Sequence, residues 1–201
     1  MIRTLIAEDQ GMMRGALAVL LGLEPDMEVV AQVERGDQIV PAVVDITPDV
    51  ALLDIELPGG DGITAAAELA RVAPECAVVI VTTFGRPGYL RRAFDAGARA
   101  FLVKDGPVED LARAIRDVLA GRTVVDPSLA AAALSAGENP LTQRETDVLR
   151  SAADGSTVAD VAARLHLSES TVRNHLSAAI GKTSTRNRME AVQAAQHNGW
   201  L

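Results

Sequence analysis

The segment Val50-Ala51-Leu52-Leu53-Asp54 is an uninterrupted apolar run that ends abruptly in a carboxylate. A second apolar run, Val78–Val81, ends in the same way at the hydroxyl of Thr82. Continuous apolar runs of this length are typical of strands that are covered on both faces, as in parallel sheets. The two segments therefore predict central strands of a parallel sheet, each with a polar side chain at its carboxyl end.

Further β-branched runs flank these strands, and helical patterns separate them. Apolar residues recur three and four positions apart between the runs, as at Met13, Leu17, Leu20 and Leu21. Strands that alternate with helices predict a doubly wound α/β fold, here with five helices around a parallel five-stranded sheet. The predicted strands are Ile2–Ala7, Glu28–Val33, Val50–Leu53, Ala77–Val81 and Ala100–Val103.

The chain changes character after residue 121. Residues 122–140 are first polar, then alanine-rich over Leu129–Ala136, where a short helix is predicted, and they end in the helix-breaking cluster Gly137–Pro140. From Leu141 onward every segment has a helical pattern, which predicts helices over 142–154, 157–164, 168–181 and 187–198. We therefore predict an α/β domain over 1–121, a linker over 122–140 and an all-α four-helix domain over 141–201.

The composition excludes several classes of protein. The 201 residues are 48% hydrophobic, which excludes a disordered chain, and the single cysteine, Cys76, excludes a disulfide framework and a cysteine metal cluster. No apolar run reaches the ~18 residues that a membrane span requires, and no secretory pattern follows Met1. We therefore expect no membrane insertion and a cytoplasmic location.

The net charge of −8 disfavours a protein that coats nucleic acid with its whole surface, but the charge is unevenly distributed. Residues 1–125 carry seven of the eight excess negative charges, whereas the segment 164–188 has five cations against one acid, Glu169. A local basic stripe is what binding to a phosphate backbone requires, although a solvated helical face has the same composition. The five cations are Arg164, Arg173, Lys182, Arg186 and Arg188.

Polar side chains follow four of the predicted strands. Glu8 and Asp9 come after the first strand, Asp54 after the third, Thr82 after the fourth and Lys104 after the fifth. Parallel strands present their carboxyl ends at one edge of the sheet, where doubly wound folds bind ligands. Three crowded carboxylates repel one another and favour a bound cation, and an all-oxygen ligand set suits Mg²⁺. One carboxylate can then accept a phosphoryl group whose charge the lysine and the metal offset.

The C-terminal helices contain a second pattern. The turn Leu165–Ser168 joins two short amphipathic helices, which is typical of a helix-turn-helix. Arg173 and Asn174 lie at exposed positions of the second helix, and these residue types pair with guanine and adenine edges in the major groove. Polar side chains nearby are predicted to contact DNA phosphates: Thr157, Ser168, Ser170, Thr171 and Lys182.

The first 121 residues resemble bacterial response-regulator receiver domains, which have a flavodoxin/CheY-like fold. The matching segments are Ile6–Asp9, Leu52–Gly62, Val81–Phe84 and Ala96–Asp105. The resemblance implies that Asp54 accepts a phosphoryl group from a sensor histidine kinase. It also implies that Mg²⁺ is bound by the acid pair Glu8 and Asp9, by Asp54 and by the backbone carbonyl of Glu56. In the same resemblance Thr82 and Phe101 are the switch residues, and Lys104 binds the phosphoryl group.

One position departs from the family pattern. Many receivers have a proline directly after the lysine, often with a cis bond, whereas Asp105 follows Lys104 here. A cis bond without proline costs about 2.5–4 kcal/mol, so the sequence leaves the geometry of this bond open.

The segment from Leu141 to Leu201 resembles the four-helix DNA-binding domain of the LuxR/NarL/FixJ group. Leu167–Leu176 matches its recognition helix, which implies base contacts by Arg173, Asn174 and Ser177, and the dimerising last helix of the family falls at Arg188–His197. The order of the two resemblances is that of a NarL-type response regulator. A weaker resemblance, at Ala179–Thr183, is to Gram-positive regulators of membrane-lipid desaturation.

These observations favour a transcriptional response regulator of a two-component system. Phosphorylation of Asp54 is expected to cause homodimerisation through the last two receiver helices, or through the first and the last, and to align two DNA-binding domains on double-stranded promoter DNA. Two alternatives remain at this point. One is a small phosphohydrolase with Asp54 as nucleophile, and the other is a phosphorylation-switched module whose C-terminal helices bind protein.

Overall fold

The protein is described by a computed structural model, which covers residues 1–83, 87–127, 129–131 and 139–201, with backbone alone at Pro87 and Val108. Phe84 and most of the predicted helix at Leu129–Ala136 lie outside the described residues. Among the helices described, none is long and apolar enough to cross a membrane. The main division of the chain into compact units falls after Ala130.

The first unit is built on a parallel sheet with the order β2-β1-β3-β4-β5-β6. The sheet has six strands where the sequence predicts five, because Val124 and Val125 pair with Ala100 and Phe101. A two-residue strand is too short to show a period in the sequence. The ordered unit therefore extends beyond residue 121 into the predicted linker. The strands are β1 (Ile2–Ala7), β2 (Met27–Val33), β3 (Val50–Leu53), β4 (Ala77–Thr82), β5 (Ala100–Val103) and β6 (Val124–Val125).

Five helices connect the first five strands and follow the fifth, as predicted. They are α1 (Gly11–Gly22), α2 (Ile39–Ile46), α3 (Gly62–Val72), α4 (Pro87–Asp95) and α5 (Val108–Leu119), with a short 3₁₀ turn at Gly36–Gln38. Apolar residues of α1 and α5, such as Leu21 and Ile115, pack with Ile6, Leu52 and Val79 of the sheet in one continuous core.

Burial of the central strands agrees with the prediction that they are covered on both faces. All four residues of β3 are buried, and so are the last five of β4. Because successive side chains of a strand point to opposite faces, this pattern requires helices on each side of the sheet. The polar residues at the strand ends therefore stand at the rim of an otherwise apolar layer.

From Asn139 onward, where the structure describes every residue, the chain forms four helices, as predicted: α6 (Gln143–Ser151), α7 (Val158–Leu165), α8 (Glu169–Lys182) and α9 (Arg188–Asn198). Each starts at a polar N-cap whose side chain accepts a backbone N–H, namely Thr142, Thr157, Ser168 and Asn187. Helix α6 ends three residues earlier than predicted, in a turn that leads to Gly155 in the left-handed region.

The turn between α7 and α8 has a non-glycine residue in a left-handed conformation. His166 has φ of 54°, and Leu167 N–H donates to the carbonyl of Ala162. This hydrogen bond ends α7. Ser168, two residues after His166, is then the N-cap of α8. The buried apolar residues of α8, Val172, Leu176 and Ala179, then face the other helices.

Candidate functional site

The carboxyl edge of the sheet brings the predicted polar side chains together. Glu8 follows β1, Asp54 follows β3, Thr82 is the last residue of β4 and Lys104 follows β5. Backbone hydrogen bonds continue the ladders into this edge: Asp54 N–H donates to the Ala7 carbonyl at 2.9 Å, and Lys104 N–H donates to the Thr82 carbonyl at 2.9 Å. The sheet register therefore fixes where each side chain begins.

The Lys104 ammonium lies between two buried carboxylates. Its Nζ is 2.5 Å from Oε2 of Glu8 and 3.0 Å from Oδ2 of Asp54, and the three side chains are only 4%, 2% and 7% exposed. Burial disfavours the charged ammonium, but the two carboxylates outweigh burial and raise the pKa of Lys104 above its ordinary value. A fixed positive charge thus adjoins the Asp54 carboxylate.

Three carboxylates are close enough to share one cation. One oxygen from each of Glu8, Asp9 and Asp54 lies within 4.8 Å of the others. Asp9 is exposed, unlike the other two, and it lines an open cleft together with Asp54, Glu56 and Thr82. These donors are all oxygens and the cleft is open to water, which fits a hard cation that keeps several water ligands.

Three groups that the sequence analysis missed position the acidic residues. The Arg14 guanidinium donates to the carbonyls of Glu8 and Asp9, at 2.5 and 3.4 Å, and holds this loop from α1. The N–H of Ile55 donates to Oδ1 of Asp54 at 2.8 Å. Gly62 allows α3 to start against the Asp54 carbonyl, because a Cβ at Gly62 would lie 2.0 Å from that oxygen. Backbone contacts of this kind have no signature in residue type or period.

Of the predicted switch residues, Thr82 lines the cleft and Phe101 lies within the neighbouring strand β5. Thr82 is 1% exposed at the end of β4, and Phe101 is fully buried in β5, where it pairs with Ile80. Every peptide bond among the described residues is trans, the Lys104–Asp105 bond included. Asp105, which stands where many receivers have a proline, therefore follows a trans peptide bond.

Helix α8 presents the predicted base-contacting residues on its solvent face. Arg173, Asn174 and Ser177 are exposed, while Val172 and Leu176 are buried on the opposite face. Arg173 pairs with Glu169 one turn earlier at 2.5 Å, in an exposed contact that solvent competes with. The three side chains therefore form one polar surface on α8.

The residues predicted to contact DNA phosphates are engaged within the unit. The hydroxyl of Thr157 belongs to the capping box of α7, and that of Ser168 caps α8 and also contacts the hydroxyls of Ser170 and Thr171 at 2.8 Å. The Lys182 ammonium is 2.7 Å from the carboxylate of Glu145. Ser168, Ser170 and Thr171 therefore lie at the N-terminal end of α8, whereas Lys182 is its last residue.

The basic stripe is less available than its composition suggests. Arg164 bonds to Ser151 and contacts Asp154, and Arg188 donates to the carbonyls of Gly155 and Ser156, so both hold the loop before α7. The other three cations each pair with a glutamate. Charge counting along the sequence cannot find these partners, because most of them lie far along the chain or in turns.

Comparisons with known proteins agree on both units. Residues 4–116 match the family model described as response regulator receiver domain, and residues 139–195 match the one described as bacterial regulatory proteins, luxR family. The chain is 46% identical over 201 residues to the uncharacterized transcriptional regulatory protein YvfU, and 44% identical over 201 residues to the transcriptional regulatory protein DesR, both of Bacillus subtilis (strain 168). Each match covers 100% of both chains.

Solved structures show the same architecture. The response regulator ChrA of a heme-sensing two-component system is 31% identical, with a TM-score of 0.60, and the match covers 100% of this chain and 98% of that one. RcsB from Salmonella enterica serovar Typhimurium, bound to a promoter, has a TM-score of 0.74 at 23% identity, over 98% of each chain, and this likeness concerns the fold alone.

Proposed function

The chain belongs to the response regulators that combine a receiver domain with a luxR-type DNA-binding domain, and from this premise we propose which residues receive the signal and which act on DNA. Members of this family are DNA-binding transcription regulators and not enzymes, so the phosphohydrolase alternative is set aside. We propose a receiver whose sheet includes β6, a linker that follows β6, and a DNA-binding domain from Leu141 onward.

Asp54 is our proposed phosphoryl acceptor. The observation that carries this proposal is the position of its carboxylate, which is held by the Ile55 N–H at 2.8 Å and the Lys104 ammonium at 3.0 Å while it lines the open cleft. An Asp54 oxygen attacks the phosphorus of a phosphohistidine, the O–P bond forms, and the P–N bond to the histidine breaks. The donor is a sensor histidine kinase, and Lys104 offsets the negative charge of the transferred group.

Mg²⁺ is our proposed metal, held by Asp9, Asp54 and the carbonyl of Glu56, with Glu8 within reach of the same cation. Support comes from the all-oxygen donor set and from the 4.8 Å spread of the three carboxylates. When bound, the ion neutralises charge on the transferring phosphoryl group. Lys104, held in place by its two buried partners, supplies the complementary charge from the protein side.

Thr82 and Phe101 are our proposed switch residues. Thr82 ends the strand beside Asp54, and its hydroxyl is the donor that would move to a phosphoryl oxygen on that carboxylate. Phe101 lies on the adjacent β5, fully buried, so a shift of Thr82 changes the space available to its ring. This coupling carries a local charge change to the receiver surface.

A second copy of the chain is the proposed partner of the phosphorylated receiver. The apolar surface of α1 and of its C-cap residue Leu23 supports pairing through the first and last receiver helices, since Met12, Val19 and Leu23 are 91%, 64% and 74% exposed. Paired receivers align two α8 helices, whose Arg173, Asn174 and Ser177 read base edges of double-stranded promoter DNA, while Thr157, Ser168, Ser170, Thr171 and Lys182 contact the phosphates. Such a relay from kinase to DNA operates in the cytoplasm.

The acceptor is tested by treating the protein with a small phosphodonor and Mg²⁺ and then mapping the phosphate by mass spectrometry. We expect one acid-labile phosphate on Asp54 and none in Asp54→Ala. Asp45, an exposed carboxylate on α2, provides the matched control, and Asp45→Ala should be phosphorylated like the wild type. A phosphate on Asp54→Ala with the same lability would overturn the assignment.

A further inference from the structure

Phe101 has a paired residue on each side of it in the sheet. Its strand, β5, lies between β4, where Ile80 pairs with Phe101, and β6, where Val125 pairs with Phe101. Paired residues of adjacent parallel strands place their side chains on the same face, and so do residues two apart along one strand. Thr82, two residues after Ile80, therefore shares a face with Phe101 and Val125, and Phe101 lies between the other two.

The backbone of Phe101 also holds the chain where it leaves the receiver. Asp126 N–H donates to the Phe101 carbonyl at 3.2 Å, and Val124 N–H donates to the Arg99 carbonyl at 3.0 Å. One turn later, Ala130 N–H donates to the Asp126 carbonyl at 3.0 Å. The compact unit that contains the receiver ends at Ala130. These hydrogen bonds therefore attach the last residues of that unit to the strand that carries Phe101.

We propose that β6 opens on phosphorylation and so passes the state of Phe101 to the connection between the two domains. This inference rests on the proposed switch and extends it beyond the acidic site. When the Thr82 hydroxyl moves to the phosphoryl group, the Phe101 ring turns towards β4, into the space that Thr82 leaves. The ring then turns away from Val125, and β6 loses its side-chain neighbour on that face.

The short length of β6 lets it open while the rest of the sheet stays intact. Elements with few hydrogen bonds and little burial open locally well before a whole domain unfolds. Val124 and Val125 are only partly buried, whereas every residue of β3 is buried. β6 is also the last strand in the sheet order, so among the described residues no strand pairs with its outer edge. The movement of Phe101 therefore acts on the shortest of the six strands.

Opening of β6 lengthens the connection to the DNA-binding domain. The segment Val124–Ala130 has seven residues, and an extended chain spans at most about 3.3–3.6 Å per residue, so its release adds up to roughly 23–25 Å. A connection that is too short to reach both half-sites gives almost no gain in affinity from pairing, whereas one that reaches them gives a large gain. We infer that a closed β6 keeps paired receivers from placing both DNA-binding domains on one DNA.

Amide hydrogen exchange of the full-length protein, followed by NMR, tests the opening itself. With a small phosphodonor and Mg²⁺, the amides of Val124 and Asp126 should exchange at least about threefold faster than without them, because the strand is locally open. The amides of β3 serve as the internal reference, and Asp54→Asn should show no change. Unchanged exchange at Val124 and Asp126 in a protein that carries phosphate on Asp54 would overturn the proposal.

A disulfide between β5 and β6 tests the consequence for DNA binding. Ala100 pairs with Val124, and adjacent strands lie about 4.7–4.9 Å apart, which is within the range of Cα distances that a disulfide spans. Ala100→Cys combined with Val124→Cys should therefore lock β6 closed under oxidising conditions. The native Cys76 is buried, and burial raises the pKa of its thiol to about 11, so Cys76 should stay out of this bond.

The oxidised variant should still accept phosphate on Asp54. Phosphodonor should nevertheless tighten its binding to a genomic fragment that the protein selects less than about threefold, below the range typical of allosteric coupling. Dithiothreitol should restore the gain of at least about tenfold expected for the wild type, so the reduced form of the same protein is the matched control.

A full gain in the oxidised, phosphorylated variant would overturn the proposal. If the bond does not form, or if the reduced form has no gain either, the exchange measurement decides. A wild type that gains no affinity, or that carries no phosphate on Asp54, would instead contradict the proposed function.

Discussion

At the scale of single residues, the proposed DNA-reading surface of α8 includes a cation, Arg173, whose ion pair is exposed. Arg173 pairs with Glu169, in a contact where both side chains are at least half exposed. Exposed pairs of this kind contribute about 0–1 kcal/mol, so leaving Glu169 for a guanine edge costs little. The exposed pair with Glu169 therefore does not prevent Arg173 from contacting a base.

Arg173→Ala should weaken binding to a specific promoter fragment by about 1–3 kcal/mol, because a bidentate contact to guanine is lost. Fluorescence anisotropy with specific and random fragments at several salt concentrations measures this loss. The matched control is Arg186→Ala, since Arg186 is also exposed and pairs with a glutamate, Glu190, four residues away. An equal loss on random DNA would make Arg173 a phosphate contact instead of a base contact.

At the scale of elements, Glu145 joins two helices of the DNA-binding domain. Its carboxylate closes the capping box of α6 with Thr142 and also pairs with Lys182 at the end of α8. Burial alone would raise the pKa of Glu145, but hydrogen bonds from Lys182 and Thr142 outweigh it and hold the pKa below its usual 4.5. The carboxylate therefore stabilises the domain at every pH where it is ionised.

Glu145→Gln should lower the free energy of unfolding of this domain by about 1–2 kcal/mol at pH 7, because a charged hydrogen-bonded pair is lost. The native pKa is lowered, so the contribution is present above about pH 4.5 and is lost as the pH falls through the native value. The variant should thus approach the wild type in acid. Urea titrations followed by Trp200, the only tryptophan, measure this, since Trp200 packs against the core of the domain.

Asp147→Asn, on the same helix, serves as the control and should change the free energy of unfolding by less than about 0.5 kcal/mol. A Glu145→Gln deficit that is equally large at pH 3.5 and pH 7 would contradict the ionised role of Glu145. Acid should still destabilise the variant in part, because the pKa values of Asp154, Asp160 and Glu190 are also lowered by hydrogen bonds.

The elements themselves were largely predictable, because their causes are local. Apolar runs and 3.6-residue periods identify β1 to β5, the helices and the strand ends that carry Asp54, Thr82 and Lys104. Three features were not predictable. The strand β6 is defined by its partner β5 and has no period of its own, and the engagement of the basic stripe depends on backbone carbonyls and distant carboxylates such as Glu145. The third is that Glu8 is buried beside Lys104 while the adjacent Asp9 is exposed, because this difference depends on tertiary packing, which residue type does not specify.

At the scale of the whole molecule, most of the net charge of −8 belongs to the receiver, yet the exposed residues of α1 are apolar. Val19 is 64% exposed on α1, and Val44 is 55% exposed on α2. If phosphorylated receivers pair through α1, Val19→Glu should weaken their dimerisation at least about tenfold by placing buried like charges in the interface, while Val44→Glu should not.

Light scattering coupled to size exclusion, with and without a small phosphodonor, measures the dimer. Both variants should still accept phosphate on Asp54, because neither residue touches the acidic site. Phosphate-dependent dimers of Val19→Glu as stable as those of the wild type would move the interface to another face of the receiver.

The central claim is that phosphoryl transfer to Asp54 controls DNA binding by the whole chain. The most direct measurement is the affinity of the full-length protein for a genomic fragment that it selects itself, with and without a small phosphodonor and Mg²⁺. Phosphodonor should tighten binding by the wild type and by Asp45→Asn at least about tenfold, because pairing makes the second contact intramolecular, and should leave Asp54→Asn unchanged. An Asp54→Asn protein that responds like the wild type would contradict the claim.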